Sequence, residues 1–420
     1  MNEIELRLAR LRELMKREHL SAFIFPSTDA HQSEYVADHW RGREWISGFN
    51  GSAGTAVVTM KSAALWTDSR YFLAAEEQLE GTEYQLMKLK VEGTPTIAEW
   101  LGKELQDVQS PEVGLDGMVN SYNYVKDLIY SLRKLGGITL RTNLDPLAQI
   151  WENRPSLPAN PVEIQPLEYA GETLASKVAR IRKSLRELHA DGMLVSALDD
   201  IAWTLNLRGT DVHCNPVFVS YLLIESGKVS LFVDDNKLSP EVKQYLQDNQ
   251  VSLYKYNKVE KCLESYSEYN ILLDGNETSY YLWKAVKCQE IVAAGSPIPA
   301  MKAVKNKAEI EGYHSAMLKD GVAMVKFLKW LKPAVEAGGQ TEISIDEKLT
   351  SLRAEQKLFR DISFDTIAGY AQHGAIVHYE ATPETDVVLK PEGLILIDSG
   401  AQYQDGTTDI TRTIALGPVS

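Results

Sequence analysis

Residues 394–413, LILIDSGAQYQDGTTDITRT, decide how this sequence is interpreted. Four apolar residues lead directly into Asp398, an Asp-Gly pair follows that is typical of a turn, and residues 408–414 alternate as a β-strand does. The pattern predicts a hairpin of adjacent strands. This hairpin would hold Asp398 and Asp409, eleven positions apart, close together.

Two carboxylates that lie close together repel each other unless a positive charge stands between them. A pair of metal ions about 3.5–4 Å apart is the usual solution in two-metal hydrolases, and carboxylate ligands suit ions such as Mn²⁺. The alternative is a surface hairpin with turn-forming aspartates. That alternative explains Asp405 well but Asp398 poorly, because an acid directly after an apolar run lies at the edge of a core.

His378 follows another apolar run, AIV, and we expect it on a strand beside these carboxylates. There it could hydrogen-bond a substrate or stabilise a developing oxyanion. A purely structural role for a single histidine stays open. His373 falls in a polar stretch, where we expect a solvent-exposed turn.

The first 300 residues contain an internal repeat. Residues 7–30 and 177–200 share a basic amphipathic helix, a histidine, a short apolar run and an aspartate, and LWTDSRY at 65–71 is echoed by LFVDDNK at 231–237. The repeat predicts two copies of one α/β unit. His19 and His189 hold equivalent places, and we expect both to be structural residues at a helix C-terminus.

Composition and periodicity predict three domains, at 1–157, 158–300 and 301–420. The Pro-rich residues 153–161 and the segment 293–306 are expected to be linkers. A long helix is predicted over 308–332, ended by Pro333 and Gly338-Gly339, and a second over 343–359. From Asp361 onward strands are predicted, including one over 375–380.

The overall composition is that of a globular protein, with 44% apolar and 24% charged residues. The net charge of -14 argues against a nucleic-acid-binding role. Three cysteines without metal-type spacing predict free thiols in a reducing compartment and no nucleophilic role. No signal peptide or membrane-spanning run is recognisable, so we expect a cytoplasmic protein with no membrane partner.

The stretch IDSGAQYQDGTTDITRT, preceded by GAIVHY around His378 and SFDTIAG around Phe364, resembles the pita-bread metallopeptidases. Within them it is similar to aminopeptidase P of the three-domain type, and segments 27–58, 65–72, 202–218 and 296–312 share the likeness. The implied fold combines α/β and α+β parts. Two duplicated creatinase-N-like α/β domains would be followed by the first half of a pita-bread catalytic domain.

The resemblance implies hydrolysis of the N-terminal Xaa-Pro bond of peptides with proline in second position. Two divalent metal ions would take part, manganese first, with zinc or cobalt as alternatives. Asp398 would bind one metal bidentately and Asp409 would bridge both. His378 would face the substrate and Phe364 would help to wall its pocket, although Asp365 stands where Pro or Asn is more usual. A homodimer is also implied.

The family's remaining ligands, one His and two Glu, have no counterpart here, because the eleven residues after Asp409 include neither type. We therefore expect a truncated catalytic domain that is inactive by itself. Two alternatives stay open: a non-catalytic peptide-binding module of the pita-bread type, and a prolidase or creatinase-like hydrolase. The retained aspartates argue against the first, and the long duplicated N-terminal region argues against the second.

Overall fold

The computed structural model describes residues 2–420, which form two compact units. The first unit contains residues 2–163, Leu174–Val212 and Val217–Ala303. The second contains Ile164–Thr173, His213–Pro216 and Val304–Ser420. The sequence did not predict that two short segments, 164–173 and 213–216, belong with the C-terminal unit. The domain boundaries at 157/158 and 300/301 stay a prediction.

The first part of the chain builds a six-stranded sheet with helices packed against it. Its strands are β1 (Ala22–Phe25), β2 (Thr55–Thr59), β3 (Ala63–Thr67), β4 (Tyr84–Lys88), β5 (Glu112–Leu115) and β6 (Thr139–Arg141). Its helices are α1 (Glu3–Arg17), α2 (Gly42–Ser47), α3 (Phe72–Leu79), α4 (Ile97–Glu104), α5 (Tyr122–Lys134) and α6 (Leu147–Ile150). The strand order is β4-β3-β2-β1-β5-β6, and the central strand β1 is buried throughout.

The second part of the chain repeats this design. Its strands are β7 (Glu163–Ile164), β8 (Gly192–Val195), β9 (Leu207–Arg208), β10 (Ser220–Glu225), β11 (Val229–Val233), β12 (Val251–Lys255), β13 (Asn270–Leu273) and β14 (Glu290–Ala293). Its helices are α7 (Leu167–Ala170), α8 (Leu174–Glu187), α9 (Leu198–Leu205), α10 (Pro240–Asp248), α11 (Val259–Glu264), α12 (Tyr280–Ala285) and α13 (Ile298–Ala303). The large sheet has the order β12-β11-β10-β8-β13-β14.

The two large sheets have the same topology, which confirms the predicted duplication. In each, the central strand pairs antiparallel with one neighbour and parallel with the other. His19 and His189 also occupy the same place, just after α1 and α8, with left-handed φ angles of 57° and 54°. The residue after each histidine donates a backbone hydrogen bond to the carbonyl five residues before it: Leu20 N–H to Met15 and Ala190 N–H to Leu185. Both histidines therefore terminate a helix, as predicted.

A buried histidine links the two sheets of the first unit. His31 Nδ1 donates to the carbonyl of Ser196, and its Nε2 lies 2.9 Å from the hydroxyl of Tyr256. Burial lowers the pKa of His31. A neutral imidazole that bridges two sheets satisfies its hydrogen bonds without burying a charge.

The second unit consists of the short helix α7, two long helices and two three-stranded sheets. The long helices are α14 (Lys307–Ala337) and α15 (Glu342–Ala354), and the strands are β15 (Phe359–Ile362), β16 (Ile367–Tyr370), β17 (Leu394–Ser399), β18 (Ala401–Tyr403), β19 (Gly406–Thr407) and β20 (Ile410–Ala415). The sheet orders are β15-β18-β19 and β16-β17-β20. Among residues 2–420, no helix combines the length and the apolar character that crossing a membrane requires.

Several element boundaries differ from the sequence-based prediction. Helix α14 continues through Pro333 and ends at Ala337, and Gly338, with a φ of 85°, is its C-cap. Helix α15 is shorter than predicted, because the chain enters strand β15 by Phe359. Part of the predicted linker 293–306 is helix α13. The predicted strand over 375–380 does not form, because these residues belong to a 3₁₀ turn and the loop after it.

The predicted aspartate hairpin is more complex than the sequence indicated. Strands β17 and β20 pair directly, but β18 and β19 fold between them as a tight hairpin of the other sheet. The chain changes sheets at Gly400, where a Cβ atom would lie 2.0 Å from the carbonyl oxygen of Thr408. Only glycine can make this change of direction without a clash.

A fully buried ion pair joins α14, α15 and this hairpin. Arg353 Nε donates to Asp320 Oδ1 at 2.6 Å, and both side chains are inaccessible to solvent. The hydroxyl of Thr408 donates to the other oxygen of Asp320 and accepts the N–H of Ala401. A carboxylate buried in this way depends on its partners, because no water can replace them.

We predict that Arg353→Met destabilises the second unit by about 3–5 kcal/mol, because it leaves Asp320 buried without its counter-ion. Urea unfolding of the variant would measure the loss. Lys357→Met, at an exposed position, is the control and should stay within about 0.5 kcal/mol of the parent protein. The double variant Arg353→Met/Asp320→Leu should recover part of the lost free energy of unfolding, because it no longer buries an unpaired charge. An Arg353→Met midpoint equal to that of the control would contradict the prediction.

Candidate metal centre

Asp398 and Asp409 lie on the same face of the sheet β16-β17-β20. In the antiparallel pairing of β17 with β20, Asp398 is opposite Thr411 and Ser399 is opposite Ile410. Asp409 is two residues before Thr411, so it lies on the face that Asp398 shares with Thr411. Such diagonal neighbours are close enough for their side chains to interact.

The electrostatics of the two carboxyl groups agree with this geometry. Partial burial raises the pKa of Asp409, and the charge and hydrogen bonding of Asp398 raise it further. Thr411 Oγ1 donates to Asp398 Oδ1 at 2.7 Å, which fixes one oxygen of that carboxylate. Two acids in mutual contact are costly to ionise together, and a divalent cation between them would remove that cost.

The backbone below this pair is held rigidly. Asp409 directly follows Thr408, whose hydroxyl is bound by the buried Asp320 of α14. Ser363 Oγ donates to the carbonyl of Thr408 at 2.8 Å. The position of Asp409 is thus set, through Thr408, by the buried Asp320 of α14 and the half-buried Ser363 before β16. A site whose ligands are held in advance by such support loses little entropy when it binds an ion.

His378 does not lie on a strand, which corrects the sequence-based expectation. It is exposed in the turn that follows the 3₁₀ helix Ala371–Ala375, with a left-handed φ of 58°. A non-glycine residue in this conformation is uncommon and marks a tightly constrained turn. The predicted role of His378 toward substrate stays a prediction.

His373 was expected in solvent, and this expectation is wrong. Its side chain is only 13% exposed, and Nδ1 lies 2.9 and 3.0 Å from the two carboxylate oxygens of Glu342. Its ring stacks on Tyr379, whose hydroxyl donates to the same carboxylate at 3.0 Å. Glu342 also accepts the N–H of Tyr370. This fully buried glutamate therefore holds both ends of the turn that carries His378.

No sequence pattern points to Glu342, because it lies 31 residues from its histidine partner, at the start of a helix. Its acidic character there was consistent with an ordinary first-turn residue. Phe364 lies half-buried in the loop between β15 and β16. Its role as a pocket wall stays a prediction.

The two aspartates fit the aspartate part of a dinuclear site. Both are carboxylates on one sheet face, and their mutual repulsion is of the kind that a dication relieves. Within residues 2–420, no third imidazole, thiol or carboxyl group forms a three-ligand cluster with them. The described chain therefore offers two ligands at this position.

Family models match nearly the whole chain. Residues 7–140 and 153–309 each match a creatinase/prolidase N-terminal domain, and residues 311–420 match metallopeptidase family M24. These matches agree with the duplicated sheets and with the separate fold of the second unit.

Individual relatives agree with the family models. The chain is 38% identical to Xaa-Pro aminopeptidase 1 of Dictyostelium discoideum, over 99% of this chain and 67% of that protein. It is 38% identical to an Xaa-Pro aminopeptidase of Drosophila melanogaster, over 98% of this chain and 68% of that protein. The chain spans about two thirds of the length of these relatives.

One solved structure is similar along the same length. The X-prolyl aminopeptidase of Caenorhabditis elegans, described as a cytosolic enzyme with a dinuclear active site, superposes with a TM-score of 0.93 at 32% identity. The match covers 99% of this chain and 70% of that one. With two creatinase-type N-terminal domains followed by an M24 metallopeptidase domain of pita-bread type, the chain belongs to the Xaa-Pro aminopeptidase P family.

Proposed function

We propose that this chain serves the metal-dependent hydrolysis of the N-terminal Xaa-Pro bond of peptides that carry proline in second position. The observation that carries the proposal is the pair of interacting carboxylates, Asp398 and Asp409, on one face of a sheet. Its relatives are Xaa-Pro aminopeptidases, and a neighbouring fold is described as having a dinuclear active site.

Asp398 and Asp409 would be the aspartate ligands of two divalent metal ions. Carboxylate oxygens favour hard or borderline ions, so we propose manganese first, with zinc or cobalt as alternatives. When bound, such a metal pair supplies Lewis acidity and an activated water. Thr411 would help to orient the carboxylate of Asp398 through its hydrogen bond to Oδ1.

His378 would contact the peptide near the bond that is cleaved. Its exposed position on a constrained turn leaves the imidazole accessible to a substrate. A histidine N–H directed at a carbonyl oxygen stabilises the negative charge that develops there. Glu342 would be a positioning residue, because it fixes the backbone of Tyr370 and the side chains of His373 and Tyr379 around that turn.

Phe364 would provide an apolar wall for the side chain of the first substrate residue. Its half-buried position in the β15–β16 loop leaves part of the ring available for such a contact. Asp365, next to it, carries a charge, and its carboxylate pairs with His213.

We also propose that the protein acts in the cytoplasm and forms a homodimer. A similar enzyme is described as cytosolic. The net charge of -14 disfavours nucleic acid as a partner. Sedimentation equilibrium would give the mass of the assembly, and a single-chain mass of 47.0 kDa would exclude the dimer.

A substrate series distinguishes this proposal from a prolidase. We predict that with Mn²⁺ a protein that carries this chain together with the one His and two Glu of the family's ligand set releases the first residue from Xaa-Pro-Yaa tripeptides. The matched Xaa-Ala-Yaa peptides should remain intact, because only proline in second position meets the specificity proposed. Chromatography of the products would follow the reaction. Cleavage confined to Xaa-Pro dipeptides would contradict an aminopeptidase P activity, and peptide binding without any cleavage would support a binding module.

A second prediction concerns the exposed histidine. His378→Ala should lower kcat by about 10²–10³-fold, the usual cost of removing one group that stabilises a developing oxyanion. Mn²⁺ affinity should stay unchanged, because His378 is not among the proposed ligands. His314→Ala, an exposed histidine on α14, is the matched control and should retain full activity. A His378→Ala variant with unchanged kcat would remove this residue from the site.

A further inference from the structure

A second group of metal-type ligands lies in the C-terminal unit, outside the aspartate pair. His213, Cys214 and Asp365 bring an imidazole nitrogen, a thiol sulfur and a carboxylate oxygen within 4.8 Å of one another. His213 Nε2 already lies 2.7 Å from Asp365 Oδ1. Nothing in the proposed hydrolysis uses the histidine or the cysteine.

The distances suit a single ion. Two ligands at zinc's usual bond lengths of about 2.0–2.3 Å in a tetrahedron are about 3.5 Å apart. The observed spacing is within 4.8 Å, so each ligand would have to move by about 1 Å or less to bind one ion. His213 and Asp365 have room for this movement, because about half of each side chain is exposed to solvent.

The cysteine is held in place more firmly than its neighbours. Cys214 is buried and adopts a left-handed φ of 61°, which is uncommon for a residue with a side chain. Gln402 of β18 donates to its carbonyl at 2.9 Å, and the same amide accepts the hydroxyl of Thr407. The turn that presents the thiol is therefore tied to the sheet below it.

The surroundings of the thiol are negative. Burial and the nearby carboxylates of Asp365, Asp361 and Glu380 raise the pKa of Cys214 to about 12. A thiol in such surroundings is neither a nucleophile nor a redox sensor, since both need an accessible thiolate. The same acids would attract a divalent cation, which in turn would stabilise the thiolate as a ligand.

An ordinary surface ion pair does not account for the whole group. A half-exposed histidine–aspartate contact contributes about 0–1 kcal/mol and needs no cysteine beside it. We propose that His213, Cys214 and Asp365 form a binding site for a third divalent metal ion, of the borderline-soft class to which Zn²⁺ belongs. Thiolate and imidazole ligands together favour zinc over manganese, so the two kinds of site would differ in metal preference.

The site has a structural consequence for the loop that carries Phe364. Asp365 follows Phe364 directly, and Ile367, two residues later, pairs with Asp398. An ion held by Asp365 would join this loop to the turn 213–216. Metal binding by these three side chains is independent of peptidase activity.

Cobalt is the probe that separates this site from the aspartate pair. Co²⁺ bound by a thiolate shows a near-ultraviolet charge-transfer absorption that carboxylate-bound Co²⁺ lacks. We predict that Co²⁺ added to the protein produces this absorption and that Zn²⁺ abolishes it by displacement. Cys214→Ser should remove the absorption entirely, whereas Cys262→Ser, a matched free cysteine on α11, should leave it unchanged.

Two further variants keep the test decisive if Cys214→Ser fails to fold. His213→Gln and Asp365→Asn alter half-exposed side chains and should weaken Zn²⁺ binding at this site by at least about tenfold. Replacing a residue that only hydrogen-bonds to a metal ligand already lowers metal affinity by about 10–100-fold. Loss of the absorption in Cys214→Ser together with weaker binding in these variants would support the site. Absence of the absorption from the unmodified protein, or its persistence in Cys214→Ser, would overturn it.

Discussion

The C-terminal unit depends on the ion pair and hydrogen bond that the buried carboxylate of Asp320 makes. It lies on α14, pairs with Arg353 of α15 and binds the hydroxyl of Thr408, the residue before Asp409. None of the three side chains is significantly accessible to solvent. A charge in such surroundings is tolerated only with its partners in place. The two helices and the strand that begins at Ile410 are consequently held in one arrangement, and the candidate ligand Asp409 is held with them.

The aspartate pair shows how such support is related to function. Burial and the charge of Asp398 raise the pKa of Asp409, so ionising both groups costs free energy in the absence of a cation. A group whose pKa is raised by folding makes the folded state less favourable as the pH rises through that pKa. The surrounding network has to offset this cost, and a bound dication would remove it. Electrostatic repulsion of this kind is typical of functional sites, where residues needed for the reaction lower the local stability.

Much of the fold could be predicted from the sequence because its signals were local. The helix–histidine–strand repeat predicted two copies of one sheet, and their topologies match strand for strand. The aspartates were found because an acid directly after LILI is unusual at the edge of a core. By contrast, the glutamate that organises the His378 turn lies 31 residues from its partner, and Asp365 lies 152 residues from His213. Such contacts depend on the tertiary fold and leave no spacing pattern.

Tertiary contacts also override local secondary-structure preferences in the C-terminal unit. An apolar run before His378 predicted a strand, but the local hydrogen bonds of a 3₁₀ helix took its place, fixed by Glu342 from another element. Pro333 was expected to end a helix, yet α14 continues one turn beyond it. The burial of Leu331 and Val335 on either side of Pro333 supports the helix there, so packing outweighed the loss of one backbone hydrogen bond.

The central claim is that Asp398 and Asp409 together hold divalent metal. Its most direct test is a titration of the protein with Mn²⁺, in which electron paramagnetic resonance measures the free ion. The double variant Asp398→Asn/Asp409→Asn should weaken Mn²⁺ binding by at least about tenfold. The loss of a metal ligand lowers metal affinity at least as much as the loss of a residue that supports a ligand. Asp107→Asn, at an exposed position, should bind as the parent protein does. Equal Mn²⁺ affinity in the double variant and the parent protein would contradict the claim.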